Sequence, residues 1–327
     1  MSPFAPHIWL EVWNWPFELQ VMLPLAAAVA AYHRGGPGEG SGPSAVQKWR
    51  TAAFYGAIAL LIVAIESPMD TFSSRSFAWH MVQHMLLLLA VPPLGLAAQP
   101  WGRMWAGVPE PVRGNIAQAL ARVTGSSPRR SERIRAGARS LLGNSKLLLA
   151  LFAAYLWSMH LPVFFDAALR SQTVHDFEHL GYLAVGTLYW SRAVPSAPFP
   201  ERLAPGPRIV YLLSGLLACW VLGIALTFAP SPLYAPYLHV VGATYAGVMS
   251  SQVTGGAIMW APSMIPFDIL FAISVQGWLA DSARADEESS AAARAAGLAG
   301  ADAGPINSRI GSEAARTAAG AEAAWEL

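Results

Sequence analysis

The chain has 327 residues, of which 54% are hydrophobic and only 13% charged, with a formal net charge of +1. A soluble domain carries about 25% charged residues, so the composition excludes an ordinary water-soluble fold and selects a chain written for a bilayer. The single cysteine, Cys219, excludes a disulfide framework and any CxxC metal or redox motif.

Apolar runs of about the length that crosses ~30 Å of hydrocarbon, at ~1.5 Å per residue, recur along the chain. The opening stretch MSPFAPHIWLEVWNWPFE lacks a basic n-region, so no cleaved signal peptide is read there, and its three tryptophans suit an outer interface belt. The first run is Phe17 to Tyr32, followed by a flexible linker, RGGPGEGSGP. Thr51 to Ile65 and Phe77 to Ala98 are the second and third. An arginine-rich connection leads to Leu147 to Phe165, Val174 to Trp190 and Ile209 to Phe228. The seventh run, Ala243 to Leu279, is interrupted by Pro262 and Pro266, which lack amide donors and must break or kink a helix. With no basic residue between its halves it reads as one broken helix, a re-entrant segment or two spans being the alternatives.

Of the 21 Lys and Arg, 19 fall on the connections after the first, third and fifth runs and on the tail. Cations near spans are retained in the cytoplasm, which puts the N-terminus outside and the C-terminus inside. The expected fold is thus all-α: a polytopic membrane bundle of seven transmembrane helices over residues 1–281, in a plasma membrane. Residues 282–327, rich in Ala and Gly, are expected to form a disordered or weakly helical cytoplasmic tail. The segment SSPRRSERIRAGARS is explained by topology and anionic headgroups rather than by nucleic acid.

Against this apolar background two histidine pairs stand out, His80 with His84 in WHMVQHMLLLL and His175 with His179 in TVHDFEHLGYL. Polar side chains inside a bilayer cost several kcal/mol each, so a matched pair asks for a reason. The third and fifth runs both enter from outside, which places the two pairs at matching depths. The fourth run leaves toward the outside through LWSMHLPVFFD and brings His160 to a similar level. Residues four apart share a helix face, so each pair can offer two ring nitrogens to one ion. Five imidazoles near the outer surface therefore point to a metal site. Glu66, Asp70, Asp166, Asp176 and Glu178 lie at the same level as ligands or as acceptors that orient the rings, and Gln252 is placed to bond a ligand histidine. His7, His33 and His239 read as solvated loop residues, and Met81, Met85, Met159 and Met249 as apolar filler.

Histidine-rich, carboxylate-flanked sites suit copper or zinc, and the residues alone do not separate the two. HDFEH also matches H-x-x-E-H, which allows an intramembrane zinc hydrolase with Glu178 as general base. Axial ligation of haem by facing histidines is a third reading. The seventh run carries a small-residue stripe, Ala243, Gly247, Ser251 and Gly255, that permits close helix approach.

The motifs HMVQHMLLLLAVPPL, WSMHLPVFFDAAL, VHDFEHLGYLAVGTLYW and SSQVTGGAIMW, in this order, resemble the CtaG family of seven-helix cytochrome c oxidase assembly proteins of caa-type oxidases. That family is distinct from the single-span copper chaperone of the same name. The resemblance covers about residues 15 to 281. It implies a non-enzymatic factor that handles copper at the outer face for an oxidase subunit, directly or through a periplasmic copper carrier. It also implies roles for His80, His84, His160, His175 and His179, with Gln252, Gly255, Gly256 and Trp260 in the last motif. Ser251 stands where the family usually has an aspartate.

Overall fold

The structure is a computed structural model that describes residues 18–36, 44–124, 128–261 and 264–302. The N-terminal tryptophans, His7, the centre of the Gly-rich linker, Pro262 and the end of the tail lie outside the described residues. Residues 1–272 form one unit and 273–327 a second, which contains the C-terminal part of the last helix.

In chain order the first unit contains α1 (Leu19–Arg34), α2 (Ala45–Ile65), the short α3 (Pro68–Ser73) and α4 (Phe77–Met85). A π-helical segment, Leu86–Ala90, joins α4 to α5 (Val91–Ala97). Then come α6 (Trp101–Gly107), α7 (Glu110–Thr124), α8 (Pro128–Gly143), α9 (Ser145–Met159), α10 (Pro162–Arg170), α11 (Gln172–Trp190) and α12 (Pro205–Thr227). A 3-10 turn, Ala235–His239, leads to α13 (Tyr245–Trp260) and α14 (Met264–Asp302).

Local chemistry explains several boundaries. Ser44, Asn144 and Thr244 each accept the backbone N–H three residues on, at 3.2, 3.1 and 3.1 Å, which satisfies one of the orphan donors of a helix start. Pro68, Pro162 and Pro205 occupy first-turn positions, where a missing N–H costs nothing. The break between α13 and α14 falls at the proline-bearing stretch of the seventh run.

Among the described residues, four helical stretches are long and apolar enough to cross a membrane: Ala45–Ile65, Phe77–Ala97, Pro205–Thr227 and Tyr245–Arg294. A fifth arises if α8 and α9, bent by 65°, are counted together. α1 and α9 alone have 16 and 15 residues, short of the ~20 that a bilayer asks for. α11 has 19 residues but carries His175, Asp176, Glu178 and His179, which lower its hydropathy. The seven apolar runs are largely helical where described, the fourth being broken at His160 and Leu161 between α9 and α10, and only the stretches above meet the length and polarity demanded of a span.

The core follows from which helices touch. α4 packs on α13, α13 on α12, α12 on α9, α9 on α11, and α11 on the π segment and α5, so the contacts close into a ring. Its interior holds Phe77, Met81, Leu88, Phe152, Tyr182, Tyr189, Trp190 and Cys219. The π segment has an identifiable cause. Pro92 has no N–H for the carbonyl four residues back, that of Leu88. Trp190 Nε1 donates to that oxygen at 2.9 Å. The approach requires Gly186, where a methyl would lie 2.7 Å from Leu88 O and 3.0 Å from Pro92 Cγ.

Candidate metal centre

At one end of this ring, the first turns of α4 and α11 face each other. His80 and His175 occupy the fourth position of their helices, and His84 and His179 follow one turn deeper. All four are buried, and one ring nitrogen from each lies within 4.8 Å of the others. His80 Nε2 and His84 Nε2 are 2.9 Å apart. Tetrahedral ligands at about 2.0–2.1 Å from an ion stand about 3.3 Å from one another, so the most widely spaced nitrogens need to close by at most about 1.5 Å, and the His80–His84 pair to open slightly, to share one.

Glu178 enters the same space. Its Oε2 lies 3.7 Å from His84 Nε2 and 3.9 Å from His80 Nε2. Neither carboxylate oxygen has a hydrogen-bond partner, and His84 Nδ1, His175 Nε2 and His179 Nε2 are likewise buried without one. Buried polar groups are nearly always paired, and an unpaired buried carboxylate costs several kcal/mol. Orphaned nitrogens and a carboxylate around one point are the donor set a cation would satisfy, so the residues present fit a metal.

One ring is oriented by a group far off in sequence. Tyr237 Oη lies 3.0 Å from the Ser73 carbonyl and 3.1 Å from His80 Nδ1. The carbonyl only accepts, so the single phenolic proton goes to Ser73 and the hydroxyl oxygen accepts from His80 Nδ1–H. That tautomer leaves the Nε2 lone pair of His80 turned to the other imidazoles, an arrangement that recurs around metal-bound histidines. Above the rings Phe165 packs 4.7 Å from the His80 ring and 4.0 Å from Tyr234. Both aromatic rings are themselves buried.

His160 is placed differently from the other four. It caps α9, donates Nδ1–H to Leu156 O at 2.7 Å and presents Nε2 to Met81 Sδ at 3.3 Å. Its ring centre is 6.2 Å from that of His84, beside the four-imidazole group.

The carboxylates separate as well. Asp70 Oδ1 stands 3.8 Å from His175 Nδ1 and accepts from Gln83 Nε2 at 3.3 Å. Glu66 accepts the Glu18 N–H at 3.3 Å, Asp166 pairs with Arg170 at 3.2 Å, and Asp176 accepts from Gln172 at 2.9 Å. The Gln252 amide, expected beside a ligand ring, binds backbone instead: it accepts from Leu233 N–H at 2.8 Å and donates toward Leu226 O and Ser231 O. It holds the connection that carries the tyrosines. Ser251 accepts the Ala78 N–H at 3.1 Å and contacts Ser76 Oγ at 2.9 Å, so it caps the histidine-bearing α4 from a neighbouring helix. Gly255 lets that helix approach, since a methyl there would lie 2.6 Å from Phe77 Cε1 and 3.0 Å from Met81 Cγ.

Sequence reasoning missed Tyr237, and the only signal available was a pair of tyrosines in the connection SPLYAPYLH. It also read Met81 as filler.

An uncharacterised protein of Mycobacterium leprae is 24% identical over 230 residues, which cover 70% of this chain and 34% of that one. Uncharacterised proteins of Mycobacterium bovis and Mycobacterium tuberculosis are each 25% identical over the same shares. The chain thus spans about a third of the length of the curated relatives it matches. No solved structure matches it. Residues 25–281 match the cytochrome c oxidase caa3 assembly factor family (Caa3_CtaG), and the chain belongs to it.

Proposed function

We propose that the protein is a non-enzymatic membrane factor that takes up a copper ion at His80, His84, His175 and His179, with Glu178 as charge partner, and passes it to a cytochrome c oxidase subunit. The observation that carries this reading is the convergence of four buried imidazole nitrogens within 4.8 Å on a carboxylate with no other partner. Imidazole ligands serve copper and zinc alike; we take copper as the cargo because the chain belongs to an oxidase assembly family, with zinc the alternative ion. The ion supplies the positive charge that Glu178 and the ring lone pairs lack. The chain's own part is to fix the rings through Tyr237, to shut water out with Phe165, and to leave one side open past Asp70. Asp70 is the most exposed of the acids beside the rings, and His175, the ring next to it, is the least buried of the four.

In this reading the bundle has seven spans, with the N-terminus outside and the C-terminus in the cytoplasm. The distribution of 19 of 21 Lys and Arg supports that orientation. The helix ends bearing the histidines then face the outside of a bacterial plasma membrane, where an oxidase subunit or a periplasmic copper carrier meets the ion.

The test is oxidase maturation in cells that lack the factor, complemented with wild type or with His175→Ala/His179→Ala. The double variant should insert normally and leave the oxidase short of copper. Full copper content in that oxidase would eliminate the reading.

One observation keeps a second reading in play. Glu178 lies beside two imidazole nitrogens in an H-x-x-E-H pattern, where a zinc hydrolase would hold the base that activates water. Glu178→Gln separates the two. A hydrolase would lose peptide turnover and keep its metal, whereas a carrier should hold its ion more weakly and show no turnover in either form.

A further inference from the structure

We infer that His160 and Met81 form a second, soft cation position next to the four-imidazole group, selective for monovalent copper. It stands on different atoms from the site above and does not depend on it.

The inference begins with a mismatch of hydrogens. His160 Nδ1 is 2.7 Å from the Leu156 carbonyl oxygen. A carbonyl cannot donate, so a neutral ring must carry its proton on Nδ1, and Nε2 is left as a bare lone pair. That lone pair faces Met81 Sδ at 3.3 Å. A thioether also has no proton to give. Two acceptors are thus aimed at each other in a buried place, since His160 is 4% exposed and Met81 0%. The opposite tautomer does not relieve this, because it would set the Nδ1 lone pair against the carbonyl oxygen at the shorter distance. A cation bound by both nitrogen and sulfur relieves it, the two donors parting or bending around the ion to admit it.

Both donors are held in place. His160 is fixed as the cap of α9, and its own carbonyl accepts from Tyr234 Oη at 2.9 Å. Met81 lies in the close contact of α4 with α13, against Gly255. Neither residue needs to change helix or leave the core to bind.

The chemistry of the pair selects the ion. Thioether sulfur is a soft ligand that favours Cu(I), whereas imidazole suits copper or zinc in either site. Neither donor carries a charge, which suits a monovalent ion better than a divalent one in a buried place. The arrangement offers a cuprous ion a resting place beside the harder imidazole and carboxylate group, with the Tyr182 ring packed against both sides: 4.3 Å from the His84 ring, its hydroxyl 3.4 Å from His160 Nδ1.

The experiment loads purified full-length protein with Cu(I) under anaerobic, reducing conditions and records copper-edge X-ray absorption. Affinities for Cu(I) and for Zn²⁺ are measured in parallel by chelator competition. The expected result is a sulfur scatterer on copper in the wild type that becomes selenium in selenomethionine-labelled protein. Met81→Leu, a volume-conserving change, should remove it and weaken Cu(I) binding about tenfold or more, a loss that even outer-shell partners reach. Zn²⁺ affinity in that variant should stay within about twofold, which also reports that the fold is intact. No sulfur or selenium scatterer in the unmutated protein, or Cu(I) affinity unchanged by Met81→Leu, would overturn the proposal. Zn²⁺ binding that survives His80→Ala/His84→Ala would instead remove the four-imidazole site and leave the copper–sulfur signal to be judged by itself.

Discussion

Tyr237→Phe removes one oxygen and leaves the aromatic packing in place, so it isolates the hydrogen bonds that orient His80. The wild-type hydroxyl accepts from His80 Nδ1–H at 3.1 Å and donates to Ser73 O at 3.0 Å. Its ring packs 6.3 Å from both Phe77 and Phe165, contacts that phenylalanine keeps. Without the hydroxyl the His80 proton is free to move to Nε2, where it competes with the ion. Loss of such an outer partner lowers metal affinity by about 10–100-fold, which corresponds to about 1.4–2.7 kcal/mol. The metal-free protein also suffers, because His80 Nδ1–H and Ser73 O lose a partner in a buried place, at about 1–3 kcal/mol for each group left unsatisfied. Competition against a chromophoric chelator with Zn²⁺ or Cu²⁺ measures the first effect, and thermal unfolding of the metal-free protein in detergent the second. A folded variant with metal affinity within about twofold of wild type, when 10–100-fold is expected, would refute the assignment of Tyr237 as the group that sets the His80 tautomer.

The packing that holds the histidine helices in place makes two further expectations. Trp190→Phe leaves Leu88 O without its 2.9 Å donor at the π segment. It should lower stability by about 1–3 kcal/mol, read as a drop in unfolding temperature, and a variant as stable as wild type would show that the carbonyl finds another donor. Gly255→Ala forces a methyl against Phe77 and Met81. Overpacking of about 1–3 kcal/mol is expected, together with weaker metal binding because α4 is displaced; unchanged melting and binding would mean that α4 and α13 are looser than they stand here.

What the sequence made legible follows from local spacing. His80 and His84, and His175 and His179, share helix faces because i and i+4 always do, and the apolar runs fixed which segments enter the bundle. The π segment at Leu86–Ala90 was not foreseen, since Phe77 to Ala98 reads as one uninterrupted run although Pro92 and Pro93 stand in it. What lay hidden depends on long-range placement. Tyr237 reaches His80 across 157 positions from an irregular connection with no periodicity to betray it. Met81 and His160 meet across 79 positions. The same holds for Gln252, whose place on a helix was predictable but whose amide turned to the backbone of the preceding connection. Span counting suffers for another reason: α11 carries His175, Asp176, Glu178 and His179, and these polar residues take it below the hydropathy of a span, whereas Phe77–Ala97 meets that test with His80 and His84 in it.

The most direct measurement is the metal content of the purified protein after loading and desalting, for wild type and for His80→Ala/His84→Ala, with extended X-ray absorption on the bound ion. Four imidazoles converging within 4.8 Å predict an ion with a nitrogen-dominated shell in the wild type and its loss in the double variant. An equal metal content in the two, or a wild-type shell without imidazole scattering, would contradict the account.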